Sequence, residues 1–382
     1  MDPECVELAE VAERFFRAEA APSERAWAAQ GHVDRDFWKR AGAVGLLGCS
    51  VPEIYGGPGG TVAHDLAVVD AQLRVTDYAF GVAVHSGVVI HYLLAYGTEE
   101  QKRRWLPPMV SGETIGAIAM TEPDAGSDLQ ALRTQAVPAD HGWTLTGTKV
   151  FITNGSMADL VIVVARTNPG KGSRGLSLFL VDTRTAGFTV DRVIEKIGQH
   201  GADTSQLTLD GVQVPPEALL GELDRGFPML MEQLPRERLF GGVTAVAAMR
   251  RAVDLTVRYT HERTAFGEAL FGLQNTRFEL AECATLTGVA TVFVDDAIDR
   301  YLRGDLDTAA AAMVKYWCSQ TQGQVLDRCL QLFGGYGFTR EFPIGGMWVD
   351  ARAQRIYGGS NEVMKELIAR SLAADYAGIG AR

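Results

Sequence analysis

Residues 142–155, "GWTLTGTKVFITNG", decide how this chain is divided. Apolar and polar residues alternate along the stretch, the period of a half-buried strand. It closes on Asn154-Gly155, a turn pair. Downstream, "DLVIVVART" (159–167), "LSLFLVD" (176–182), "GFTVDRV" (187–193) and "SQLTLDGVQV" (205–214) are further short β-rich runs separated by turn residues. The texture on either side is different. From about Cys5 to Gly112, apolar residues recur at spacings of three and four, as in "VELAEVAERFF" (6–16) and "FWKRAGAVGLLG" (37–48), the period of an amphipathic helix. "TEEQKRRWLPPMVSG" (98–112) opens with a Thr cap and acids, and its paired prolines predict the stop. "VPEIYGGPGG" (51–60) reads as a loop. Beyond Gly226, three long amphipathic segments (245–263, 274–302 and 307–335) and a shorter one (359–372) predict a four-helix bundle. The reading is therefore α+β and multidomain: an all-α domain over 1–113, a middle β-barrel or sandwich domain over 114–222, and a C-terminal helical bundle over 223–382.

The 382 residues exceed what a single hydrophobic core serves. A net charge of −11 argues against a general nucleic-acid binder. Five cysteines are scattered without a CxxC pair, and no Cys/His cluster has zinc spacing, so a metal site is not expected and a reducing compartment is. The seven histidines are scattered and read as ordinary core or surface residues. The acidic amphipathic start resembles neither a signal nor a transit peptide, and no apolar run is long enough to span a bilayer. The expectation is a cytoplasmic protein. Neither GxGxxG after a strand nor GxxxxGK[ST] occurs, so no Rossmann or P-loop site is indicated.

Four segments carry candidate chemistry. "AMTEPDAGSDL" (119–129) offers hydroxyls and backbone N–H groups for a polar ring edge or an anion, though alone it is also a well-made turn. In "KVFITNG" (149–155) the strand period puts Phe151 and Thr153 on one side, suited to a flat heteroaromatic ligand; ordinary strand packing gives the same pattern. "ERTAFG" (262–267) places Arg263 at a helix end, where it can bind a pyrophosphate or face solvent. "QLFGGYGF" (331–338) has a Gly-Gly turn that permits close backbone approach or caps a helix.

Taken together and in this order, the four segments resemble the acyl-CoA dehydrogenase family over almost the whole chain. The resemblance implies FAD. It places Met120 and Thr121 at the pyrimidine edge of the flavin, with Phe151 and Thr153 near its reactive ring. Ser127 matches a serine near the flavin and substrate phosphates. Arg263, Phe266 and Gln274 match positions that hold the pyrophosphate and adenosine end. Gln331 to Gly335, with Gly334 in the turn, match a segment that reaches the FAD of a neighbouring subunit. A homotetramer of two dimers is implied as well, with electron-transferring flavoprotein as oxidant. The implied reaction is α,β-dehydrogenation of an acyl thioester, in which a base removes the α proton while a hydride leaves the β carbon for flavin N5.

In many members the base is the Glu of a "YEGTS" motif, but here "YGGSNE" (357–362) has Gly358 at that position. The remaining candidate is Glu237 in "LPRERLFGG" (234–242), read as an acid at the head of a helix beside Pro235. The long-chain and isovaleryl branches carry "ERL" here and a non-acidic residue at the other position, so the resemblance assigns the base to Glu237. Gly358 then avoids a second carboxylate at the same carbon, and its N–H is assigned to the thioester oxygen. Arg238 and Gly359 join Ser127 and Gly358 as expected substrate contacts. Ser360 and Glu362 are expected along the FAD chain. A dehydrogenase acting on an acyl chain tethered to a carrier protein, and a flavin oxidase or monooxygenase on the same scaffold, are the alternative readings.

Overall fold

The computed structural model describes residues 3–380, with side chains through residue 373. Helices fill the first part: α1 (Pro3–Phe15), α2 (Glu24–Gln30), α3 (Arg35–Ala43), α4 (Val62–Val75), α5 (Val82–Val84), α6 (His91–Tyr96) and α7 (Glu99–Val110). A π-helical stretch, His85–Ile90, joins α5 to α6. Thr98 caps α7 as its sequence predicts, in a reciprocal pair with Gln101. The expected stop at Pro107-Pro108 does not occur there, and α7 runs through both to Val110. Prolines this close to a C-terminus remove few intrahelical bonds. Buried Trp105, Leu106 and Met109 hold the last turns in place.

The middle strands are β1 (Gly116–Ala119), β2 (Gln135–Ala139), β3 (Gly142–Thr153), β4 (Leu160–Arg166), β5 (Leu176–Asp182), β6 (Phe188–Val193), β7 (Thr204–Val214) and β8 (Leu219–Leu220). They form one sheet in the order β6-β7-β3-β2-β4-β5-β8, with β1 parallel to β4. The two halves of the sheet are joined by a single β2–β4 pair, Gln135 to Arg166. The sheet closes over a core containing Val161, Val163, Phe179, Leu207 and Leu209. The other face of β4 and β5 (Leu160, Ile162, Val164, Leu178, Leu180) packs with residues of α6 and α7, including Tyr92, Leu93 and Leu106. Strands buried on both faces lose alternation, which explains the unbroken apolar runs there.

Helix α8 (Gly226–Glu262) is continuous over 37 residues. A short hairpin follows, β9 (Thr264–Ala265) and β10 (Glu268–Ala269), and then α9 (Gln274–Leu302), α10 (Thr308–Phe333), α11 (Pro343–Ala353) and α12 (Asn361–Gly380). The main core cluster runs through the first helices into α8, α9 and α10, so α8 is the spine between the helical units.

Candidate active site

Glu237 lies about three turns inside α8 rather than at its head. The helix passes through Pro235, so the macrodipole does not explain an acid here. Arg236 locks this part of α8 against the N-terminal helices. Its Nε donates to Gly87 O (3.0 Å) and its Nη2 to Asp65 Oδ2 (2.9 Å). The helices approach closely at this point: a Cβ on Gly87 would lie 2.5 Å from the Phe240 ring. Successive helical residues are rotated by about 100°, so the three side chains of "RER" diverge. Arg238 turns toward the start of α10 and donates to Thr308 O (3.2 Å). Glu237 turns toward α6, where Tyr92 Oη donates to its Oε1 (3.1 Å).

Glu237 is only half-buried by exposure, yet its carboxyl is enclosed. Burial pushes its pKa up to about 7, and the Tyr92 hydrogen bond and Arg238 offset part of that rise. A carboxyl poised near neutrality is suited to general-base work.

Residues 357–361 form a tight turn before α12. Gly358 (φ +64°) and Gly359 (φ +85°) are both left-handed, which is why two glycines stand together. Nothing lies within 4 Å of a Cβ built on Gly358. Among the described residues, no hydrogen bond engages its N–H. Lys315 of α10 is buried under the turn and donates to Gly359 O (2.5 Å) and Asn361 Oδ1 (3.1 Å). Burial, with Arg238 nearby, pushes its pKa down to about 8. Gly241 is one turn beyond Glu237, and its Cβ position lies 3.7 Å from Lys315 Cγ. The Glu237 face of α8 and the glycine turn are therefore one lysine side chain apart.

Ser360 and Glu362 hold different posts. Ser360 Oγ accepts from Val363 N (3.4 Å), a long N-cap bond. Glu362 is exposed in the first turn of α12, and its own backbone N–H and the Ser360 hydroxyl hold its carboxyl below the usual range. A weakly basic carboxylate of this kind is a poor proton acceptor.

A second cluster of candidates surrounds the end of β1 and β3. Met120 packs into the same core as Tyr92. The Thr121 carbonyl accepts from Val150 N (2.9 Å). A bulge between Lys149 and Ile152 interrupts β3, so strict alternation fails and Lys149 and Val150 are both buried. Phe151 takes φ +60° and is 63% exposed, a costly backbone state for an aromatic residue. Thr153 is half-buried, while Ser127 is exposed on the preceding loop. Sequence reasoning missed what fixes this loop. Buried Glu122 accepts from Arg133 N (2.6 Å), Thr134 N (2.9 Å) and Lys149 Nζ (2.8 Å), and Lys149 also donates to Met120 O (3.1 Å).

The third cluster lies at the far end of α8. Arg263 is its C-cap, 5.8 Å from the Tyr336 ring. Phe266 (φ +53°) and Gly267 (φ +85°) make the tip of the β9–β10 hairpin, and Phe266 is 94% exposed. Gln274 opens α9 and Gln331 stands in the last turn of α10. Tyr259 stacks on Phe333 at 4.1 Å and brings the 331–335 segment to Arg263. Space is open around Gly126, Gly334 and Gly335, where a Cβ would touch nothing within 4 Å. Strained, exposed aromatics beside open glycines fit a large flat cofactor with a phosphate chain.

Three profiles match the chain, described as acyl-CoA dehydrogenase N-terminal domain (residues 2–113), middle domain (117–212) and C-terminal domain (224–373). This chain belongs to the acyl-CoA dehydrogenase family. It is 43% identical to the long-chain specific acyl-CoA dehydrogenase of Rattus norvegicus, over 95% of this chain and 85% of that protein. An acyl-CoA dehydrogenase structure from Geobacillus kaustophilus superposes with a TM-score of 0.95 at 38% identity, covering 97% of this chain and 98% of that one. A glutaryl-CoA dehydrogenase from Mycobacterium smegmatis, in complex with FADH2, superposes with a TM-score of 0.91 at 27% identity, over 98% and 95% of the two chains. The protein is accordingly an FAD-dependent oxidoreductase acting on acyl-CoA.

Proposed function

We propose that this acyl-CoA dehydrogenase oxidises a saturated acyl thioester to the trans-2-enoyl thioester, with Glu237 as the base for the α proton. The observation that carries the reading is the paired state of the two positions: an enclosed carboxyl near neutrality at 237 and an open glycine at 358. Bound FAD supplies the hydride acceptor for the β carbon. Glu237 takes the α proton, and the Gly358 N–H, aimed by the left-handed turn, donates to the thioester oxygen as negative charge develops there. Ser127, Arg238 and Gly359 are proposed to contact substrate; Arg238 gives its Nη1 to Thr308 O, while its Nε has no partner among the described residues. Met120, Thr121, Phe151, Thr153, Ser360 and Glu362 are proposed to line the flavin and its chain.

Arg263, Phe266, Gln274, Gln331, Gly334 and Gly335 are proposed to serve the FAD of a neighbouring subunit. Glu237 and Arg263 are separated by about 39 Å along one continuous helix, too far for one ribityl-linked flavin to meet both. A homotetramer of two dimers, electron-transferring flavoprotein as oxidant and a cytoplasmic site belong to the same proposal. Burial of Cys49, Cys283, Cys318 and Cys329 as thiols supports a reducing compartment. No helix among the described residues is long and apolar enough to cross a membrane. We propose domain boundaries at 113/114 and 222/223. The likeness to the rat enzyme favours long acyl chains.

The test is anaerobic bleaching of the flavin spectrum by acyl-CoA thioesters of graded length, alongside the same acyl groups on carrier protein. Bleaching with an enoyl-CoA product supports the reading. Bleaching only by carrier-protein thioesters would replace the substrate, and no bleaching by any thioester would overturn the function.

A further inference from the structure

Tyr92 is 1% exposed, and its hydroxyl points at Glu237 across a sequence separation of 145 residues. Its place is over-determined. The Arg236 guanidinium grips the Gly87 carbonyl one turn upstream. The Tyr92 ring packs edge-on to Tyr96, at 6.0 Å. Tyr96 Oη in turn donates to Glu232 Oε2 (2.8 Å) and accepts from Gln233 Nε2 (2.9 Å), both on α8. Helices α6 and α8 are thus clamped on both sides of the Tyr92–Glu237 contact. A buried hydroxyl left without a partner is costly, so the hydroxyl and the carboxylate oxygen hold each other.

We infer that Tyr92 is a positioning residue for the base: its hydroxyl fixes Glu237 Oε1, leaves Oε2 for the α carbon, and sets the pH above which the enzyme works. The inference rests on Glu237 being the base. A hydroxyl donating to a carboxylate favours the charged form, so the bond lowers the carboxyl's pKa. The other group acting on Glu237 is Arg238 on its own helix, which also favours the carboxylate. Lys315 on α10 faces Arg238 rather than Glu237. Tyr92 is the one hydrogen-bond donor to the carboxyl among the described residues.

The experiment uses the FAD-loaded enzyme and Tyr92→Phe, which keeps the ring and deletes the bond. Tyr92→Met, a flexible filler of the same space, guards against a packing artefact of the first variant. Anaerobic flavin reduction by an acyl-CoA is followed against pH, and the Glu237 carboxyl is titrated independently by infrared difference spectroscopy, its band identified by loss in Glu237→Gln. Both variants should move both midpoints up by roughly one unit, the size expected for a hydrogen bond to a charged group. The rate should fall about fivefold near pH 7 and converge with wild type above pH 9, following from that shift. A uniform loss at all pH values, or an infrared midpoint that stays put or falls, would overturn the role of Tyr92. If Glu237→Gln itself reduces flavin normally, the base assignment has failed instead, and the infrared midpoint still decides whether Tyr92 holds that carboxyl.

Discussion

Two carboxylates stand close to the glycine turn, and the protein treats them oppositely. Glu237 is enclosed inside a long helix, with one tyrosine donor, and is pushed up to about 7. Glu362 is exposed at the start of α12, where the backbone and Ser360 hold it low. The difference teaches that reach alone does not make a base. Enclosure raises proton affinity, whereas a helix N-terminus lowers it. An acid that caps a helix is therefore unsuited to accept a proton near neutral pH, however near it lies.

The largest effect that sharpens this contrast is expected for Glu237→Gln. Loss of a general base typically costs about 100- to 10,000-fold in rate. Stopped-flow flavin reduction should show it, with FAD content unchanged. Relocation comes next. Gly358→Glu in the Glu237→Gln background has space, since nothing lies within 4 Å of the new Cβ, but φ +64° is a left-handed conformation that costs a side chain about 1–2 kcal/mol. Partial recovery of flavin reduction with a lowered Tm is expected, and no recovery would break the idea that both positions face one carbon.

The third effect is on stability. A carboxyl whose folded pKa is raised takes up a proton on folding, so its contribution is full below about 4.5 and is lost as pH rises through about 7. Glu237→Gln should therefore be more stable than wild type at pH 8, on the order of 1–3 kcal/mol, and no more stable at pH 4. Chemical denaturation at the two pH values checks the sign. The smallest effect is expected for Glu362→Gln, an exposed substitution of the kind usually worth within about 0.5 kcal/mol. With FAD added to saturation, so that a weakened contact to the FAD chain is offset, turnover should change by no more than about twofold, the rate equivalent of that energy.

Much of this was legible in sequence because it is periodic or local. Alternation in 142–153 marked the sheet, spacings of three and four marked the long helices, and the Thr98 cap marked the start of α7. The order of four motifs carried the family. What escaped depends on contacts between distant residues. Lys315 looks like a surface lysine on an Ala-rich helix, yet it is 4% exposed because the 357–361 turn folds over it. Lys149 breaks no pattern on paper, and only its burial with Glu122 makes it the pin of the 120–134 loop. Pro235 misplaced the head of α8, because the buried Arg236–Asp65 pair holds the helix together where propensity alone would end it. Tyr92 had no signal at all, since a tyrosine in an apolar helix is ordinary until Glu237 arrives from another part of the chain.

The most direct test of the account is the fate of the α hydrogen itself. Acyl-CoA dideuterated at the α carbon would be mixed anaerobically with FAD-saturated wild type, Glu237→Gln and Glu362→Gln, and deuterium release to water followed by mass spectrometry. The account predicts prompt loss with wild type and Glu362→Gln and retention with Glu237→Gln. Release by Glu237→Gln at the wild-type rate, or retention by Glu362→Gln, would contradict it.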